Sequence, residues 1–440
     1  MSSLLISNGH LITLDKHNRF IENGSVYIDG KRIVDVGEFD PGSYAADRTI
    51  DARGSVVMPG LINAHHHLYS TFARGFSPPG PPARNFEENL TNLWWKLDSA
   101  LNSEDVYYSS LLAVMEAARA GCTTIIDHHA SPSCSDGSLD QVERAFTDVG
   151  LSGCLCYEVS DRNIDGEGIE ENVRYIRKCR ESDDDQMAAM FGMHALMTLG
   201  TTTLERCADI GNALDTGFHV HAAEDEIDVK VTMERYGQSI MERFVDFGIS
   251  GPKTIFVHGT YLEPAELDVL HSTDSILVNN PESNMNNGLK VSPVLDMLKH
   301  GVTVGVGTDG MSSHLISQAR AMYLHQRTSR QDPTLAFAES CDILLKNNRN
   351  ICNRLFPEPR GALAPGQLAD VVIHDYVPFT PLNAETFYGH LLFGLSFSRV
   401  RTTIARGGVV VDDGCLPHLD EEAIRAHCAE QAAAIWARID

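Results

Sequence analysis

Two short stretches of this chain bring histidines together at a spacing that suits a metal ion. In Met58-Pro59-Gly60-Leu61-Ile62-Asn63-Ala64-His65-His66-His67 an apolar run ends in three imidazoles. On a strand alternate side chains share a face, so His65 and His67 point one way and His66 the other. Two neutral imidazoles on one rigid face can approach a single transition-metal ion. Phe218-His219-Val220-His221-Ala222-Ala223-Glu224 repeats the pairing and adds a carboxylate. Two further apolar runs end in a polar group, Thr254-Ile255-Phe256-Val257-His258-Gly259 and Val302-Thr303-Val304-Gly305-Val306-Gly307-Thr308-Asp309-Gly310.

His65, His67, His221 and Asp309 make a set of three nitrogens and one oxygen with room for water. Such open coordination belongs to catalytic sites, since structural zinc is closed by four protein ligands. One divalent ion there would bring the pKa of bound water to about 7. Glu224, three residues past His221, is placed to act as general base and then general acid. His258 is expected beside the hydroxide, stabilising negative charge on the attacked centre. Asp309 can accept a proton from the water as well as bind the ion. His219 and His66 are read as hydrogen-bonded supports.

Polar groups at the C-terminal ends of successive apolar strands are how a (β/α)8 barrel builds an active site. Eight candidate strands occur, at 56–67, 122–129, 151–160, 190–197, 218–224, 254–259, 275–283 and 302–309. Helical spacing separates them, as at 107–120 and 204–214. The expected fold is therefore α/β, a TIM-like barrel over residues 58–360. Residues 1–57 read as short strands and turns, with Asp29-Gly30 as a hairpin signal. The same pattern returns at 361–416, and the two flanks are expected to pair into one small β-sandwich. A helix within 417–440 should close the chain against that sandwich. Residues 68–104 carry a proline-rich run and then Trp94-Trp95, either a lid over the site or aromatics filling a gap between helices.

The formal net charge is −25. It repels nucleic-acid phosphates and anionic membrane surfaces, so neither is expected as a partner. Ten cysteines include no Cys-x-x-Cys pair, and a chain of 440 residues needs no disulfide framework. No cationic leader precedes an apolar segment with a cleavage site, and no run is long enough to span a bilayer. A cytoplasmic location is expected. A two-metal barrel needs a bridging ligand, often a modified lysine on the fourth strand. Residues 187–199 contain no lysine, which favours a single ion. His194 on that strand is assigned to substrate contact, with a core histidine as the competing reading.

Pro59-Gly60-Leu61-Ile62-Asn63-Ala64-His65-x-His67, His221-x-x-Glu224, His258-Gly259 and Thr308-Asp309-Gly310 resemble the amidohydrolase superfamily, over nearly the whole chain. The resembled subset is the single-metal aminohydrolases, which includes guanine, cytosine and S-adenosylhomocysteine deaminases and the triazine chlorohydrolases. Asn92-Leu93-Trp94-Trp95-x-Leu97-Asp98, Asp127-His128-His129-Ala130-Ser131-Pro132, Asp161-Arg162-Asn163 and Ser283-Asn284-Met285-Asn286-Asn287 are similar to the SsnA group of aminohydrolases. The resemblance implies zinc, or else iron, on His65, His67, His221 and Asp309, with Glu224 and His258 in the roles above. One departure stands out. Many relatives carry His-Asn-Pro or His-Cys-Pro after the seventh strand, where this chain has Asn279-Asn280-Pro281. The replaced histidine is not an implied ligand. Such proteins often form homodimers, although no stretch here marks an interface.

The leading expectation is hydrolytic deamination of a small amino-substituted heterocycle, purine or pterin-like, releasing ammonia. Asp127, His128, His129, Asp161 and Arg162 end the second and third strands and could read ring edges, with Trp95 and His194 completing the contacts. A structural network at the barrel rim is the competing reading for the first five. The same water activation also serves another leaving group, such as chloride, an alkylamine or a ring amide. A non-catalytic binding protein and a purely structural zinc remain open on the same scaffold.

Overall fold

The computed structural model describes residues 3–439. Parallel strands and helices alternate between Leu61 and Gly310. The strands fall into two five-stranded parallel sheets. One runs in the order Asp309–Gly310, Leu61–His67, Cys122–His129, Ser152–Tyr157, Met187–Ala189. The other runs Phe191–Met193, Phe218–Ala222, Ile255–His258, Ile276–Asn279, Thr303–Val306. Most of these strands are buried on both faces, which explains their continuous apolar runs.

The sheets meet at two seams. At one, the Gly307 N–H donates to the Asn279 carbonyl, the Thr308 N–H donates to the His65 carbonyl, both at 3.0 Å, and Asp309 pairs with His66. A Cβ on Gly307 would lie 2.6 Å from the His65 carbonyl oxygen and 2.6 Å from Asn280 Oδ1, so only glycine permits this approach. At the other seam, Val159 bridges Met193.

Four strands differ from the sequence expectation, and the run 302–309 is one of them, since Thr303–Val306 and Asp309–Gly310 fall in different sheets. The run 56–67 is divided at Gly60: Val56–Pro59 pairs antiparallel with Val371–His374, and only Leu61–His67 joins the parallel sheet. The run 190–197 is a strand only over Phe191–Met193, and Met187–Ala189 just before it is a separate three-residue strand in the other sheet. Asn172, from the helix Ile169–Glu181, explains the break. Its side-chain amide accepts from the N–H groups of Tyr157 and Gly192 and donates to their carbonyls, standing in for the backbone ladder between them. The run 275–283 stops at Asn279 because Pro281, which lacks an N–H, opens the helix Pro281–Asn286.

Both chain ends join one eight-stranded sheet. Its order is Gly408–Val411, Val400–Ala405, Val371–His374, Val56–Pro59, Ser3–Ile12, Phe20–Asp29, Arg32–Gly37, with Arg48–Asp51 also on Ser3–Ile12. Leu4, Ile6, Val26 and Ile28 from one flank share a buried cluster with Val371, Ile373 and Ile404 from the other. The C-terminal helix Glu421–Trp436 packs on the helix Ser103–Arg119 rather than on this sheet. His427 Nε2 reaches Glu104 at 3.2 Å, Arg438 pairs with Asp105, and the Trp436 indole donates to the Phe72 carbonyl at 2.8 Å. Those contacts are polar anchors that an apolar-periodicity reading of the helix does not weigh.

The tryptophan stretch is helical, as Phe86–Asn89, the π-helical turn Leu90–Trp94, and Trp95–Ala100. The Asn85 side chain caps it by accepting the Glu88 N–H at 2.8 Å. Among the described residues no helix is long and apolar enough to cross a membrane.

Candidate active site

The C-terminal ends of the parallel strands deliver four buried groups to one point. His67 Nε2 and His221 Nε2 stand 3.2 Å apart. Asp309 Oδ1 lies 3.2 Å from His67 Nε2 and 3.5 Å from His65 Nε2. The other nitrogen of two rings is fixed by backbone: His67 Nδ1 contacts the His128 carbonyl at 2.6 Å and His221 Nδ1 the His194 carbonyl at 2.9 Å. A carbonyl only accepts, so both Nδ1 atoms carry the proton and both Nε2 atoms of neutral rings present lone pairs. Two lone pairs facing at 3.2 Å repel unless a cation or a proton lies between them. His65 Nε2 is also buried without a hydrogen-bond partner, while its Nδ1 meets His219 Nε2 at 2.9 Å. These donors fit a divalent ion bound by three imidazoles and one carboxylate.

Electrostatics agree at two of the three imidazoles. Burial pushes His65 and His221 well below the usual histidine range, the neutral form a ligand needs. Burial also works against a charged His67, but the adjacent Asp309 carboxylate outweighs it and raises His67 to about 9. Asp309 feels burial in the opposite sense, and the adjacent His65 and His67 rings nevertheless hold it well below the carboxylate range. Glu224 is pushed well above its ordinary value, by burial first and then by Asp309.

Glu224 Oε2 lies 3.4 Å from His258 Nε2, which is itself 3.8 Å from Asp309 Oδ2. His258 Nδ1 donates to Asn284 Oδ1 at 2.8 Å, and Ser283 Oγ donates to Asp309 Oδ2 at 2.6 Å. His258 and Asp309 both have left-handed backbone, φ 74° and 59°. His66 turns away to Ser313 Oγ at 3.0 Å. A cavity of ≈ 180 Å³ opens above the cluster, walled by Phe86, Leu90, Trp94 and Trp95. A larger polar cleft, ≈ 550 Å³, lies at the opposite ends of the strands near Met187, Gly217 and Lys253, away from these donors.

Residues 56–411 match the amidohydrolase family. The chain belongs to that family. A 5'-deoxyadenosine deaminase of Methanosarcina barkeri is 29% identical to this amidohydrolase over 447 residues, 100% of each chain. A 5-methylthioadenosine/S-adenosylhomocysteine deaminase of Desulforudis audaxviator is 29% identical over 96% of each. Among solved structures, a zinc-bound adenosine deaminase from Xanthomonas campestris superposes with a TM-score of 0.86 over 99% of this chain and 98% of its own, at 21% identity.

Of the residues expected to touch substrate in this amidohydrolase, Trp95 and His194 line the cavity. Asp127, His129 and Arg162 do not. Asp127 accepts the Leu68 N–H at 2.8 Å, and His129 pairs with Ser131 Oγ at 2.9 Å, both fully buried behind the wall. Arg162 donates to Asp98 at 2.7 Å and lies over the Trp95 ring at 5.2 Å. His128 Nε2 is held by the carbonyls of Met193 and His219, each at 3.1 Å, and Asp161 accepts the Gly166 and Gly200 N–H groups. These polar groups satisfy the rim. Sequence reasoning passed over Glu158, which lines the cavity, although a charged residue in Cys156-Tyr157-Glu158-Val159 was a visible signal.

Proposed function

We propose that this chain is a metal-dependent hydrolytic deaminase of a 6-aminopurine nucleoside or a close derivative, releasing ammonia. The facing Nε2 atoms of His67 and His221, closed by His65 and Asp309 beside a Glu224 carboxyl of raised proton affinity, carry the reading. The relatives' names supply the ring. The two parallel sheets act as one closed (β/α)8 barrel, and the mixed sheet folds over as a sandwich.

One zinc ion would be held by His65, His67, His221 and Asp309, and the missing lysine at 187–199 argues against a second. When bound it supplies the Lewis acidity that makes water a nucleophile at neutral pH. Glu224 takes a proton from water as the water oxygen bonds to the ring carbon bearing the amine. It then delivers that proton to the neighbouring ring nitrogen. The C–N bond breaks as the second water proton passes to the amine, leaving a ring carbonyl and ammonia. The His258 Nδ1–H donates to Asn284 Oδ1, so the neutral ring offers Nε2 as an acceptor that orients the water. Stabilisation of negative charge by His258, the role expected from sequence, would require the imidazolium.

Elemental analysis with an ammonia-release screen over purines, pterins, pyrimidines and triazines tests this. Near one equivalent of zinc and ammonia from a 6-aminopurine nucleoside are expected. Glu224→Gln should lower kcat by about 10²–10⁴-fold with metal content unchanged. Zinc-loaded protein that releases ammonia from none of these rings would overturn the reading.

A further inference from the structure

A carboxylate that hydrolysis does not use reaches the same cavity from the third strand. Glu158 follows the strand Ser152–Tyr157, and its backbone N–H donates to the His129 carbonyl at 2.7 Å. Its side chain is 3.3 Å from His128 Nδ1, 3.6 Å from Arg162 Nη2 and 3.9 Å from His194 Nε2. All three contacts exceed the roughly 2.7–2.9 Å of a charge-assisted hydrogen bond. Each neighbour is also held elsewhere: His128 by two carbonyls, Arg162 by Asp98, and His194 Nδ1 by Thr198 Oγ1 at 2.7 Å. Glu158 therefore keeps unused acceptor capacity at the cavity wall.

Its position is close to the chemistry. One Glu158 oxygen lies within 4.8 Å of ring nitrogens of both His194 and His221. The charge of the wall points the same way. Glu158, Glu224, Glu282 and Asp309 line the cavity, and among the described residues no lysine or arginine does. The nearest guanidinium, that of Arg162, stands behind the wall and is committed to Asp98.

Resting on the deaminase reading, we propose that Glu158 is a substrate-contacting specificity residue whose carboxylate accepts the adjacent hydroxyls of an uncharged nucleoside and turns anionic nucleotides away. Two oxygens on one carboxylate can each take one hydroxyl donor of a vicinal diol. A phosphate or carboxylate on the substrate would instead bring like charge against a wall that already carries Glu158, Glu224, Glu282 and Asp309.

The test measures calorimetric binding of adenosine, 2',3'-dideoxyadenosine and adenosine 5'-monophosphate to zinc-loaded Glu224→Gln protein, with and without Glu158→Gln. A hydrogen-bonded pair on a charged acceptor should favour adenosine over the dideoxy analogue by about 10–100-fold. Glu158→Gln should reduce that preference to a few-fold and narrow the discrimination against the monophosphate. Equal binding of adenosine and the dideoxy analogue with Glu158 intact overturns the proposal, and that comparison does not depend on the Glu158 variant folding. Preference for the diol without ammonia release by the unsubstituted enzyme would retain the subsite and sink the deaminase reading. Ammonia release without the preference would do the reverse.

Discussion

Metal uptake by this protein should release a proton, and the site says which one. Without metal, His67 is raised to about 9 by Asp309 despite its burial, whereas His65 and His221 are pushed well down and are neutral already. The folded metal-free protein therefore holds a proton on His67 throughout the neutral range. A ligand nitrogen must be free, so binding at pH 7 displaces about one proton. Two pH units below 9, this competition costs about 2.7 kcal/mol, or about 100-fold in apparent Kd, at roughly 1.4 kcal/mol per unit. Affinity should rise tenfold per pH unit from 6.5 to 8.5 and level off above 9. Calorimetric titration with zinc in buffers of different ionisation enthalpy reads the proton count directly. Glu224, whose proton affinity burial and Asp309 also raise, is a second candidate source, and Glu224→Gln removes it while leaving the His67 proton in place. Zinc binding that releases no proton at pH 7 in Glu224→Gln, or that is unchanged in His67→Gln, would refute the reasoning.

Arg162→Met would leave Asp98 buried and unpaired, and should cost about 3–5 kcal/mol by thermal or denaturant unfolding. An unchanged Tm would show that the Arg162 contact to Asp98 is not a stabilising one. Gly307→Ala forces a methyl toward the His65 carbonyl and Asn280, so a loss of about 1–3 kcal/mol with reduced zinc content is expected. Full metal content in a stable Gly307→Ala protein would contradict the close approach.

Strand alternation was enough to place His65, His67 and His221 in sequence, because a period of two is a strong constraint on which side chains share a face. What anchors them was not readable. The Nδ1 atoms of His67 and His221 are fixed by the carbonyls of His128 and His194, and every residue carries a carbonyl. The fourth strand was misread for a similar reason. Its break is made by Asn172, which comes from a helix and has no local signal near Gly192. Asp127, His129 and Arg162 showed the right chemistry at the right strand ends, but a polar residue there can equally satisfy the rim. Sequence does not distinguish a side chain facing the cavity from one facing the loop behind it.

The helix Pro281–Asn286 shows why the departure at Asn279-Asn280-Pro281 leaves the site intact. His258 and Asp309 are left-handed non-glycine residues, each costing about 1–3 kcal/mol, and such conformations persist only where the surroundings hold them. Two adjacent residues of one short helix do so: Asn284 accepts from His258 Nδ1, and Ser283 donates to Asp309 Oδ2. Pro281 sets the start of that helix directly after the strand Ile276–Asn279, so the register of Ser283 and Asn284 follows from the proline rather than from the residue two before it. Replacing a histidine by Asn279 thus leaves untouched both the restraint on the proposed metal carboxylate and the restraint on His258.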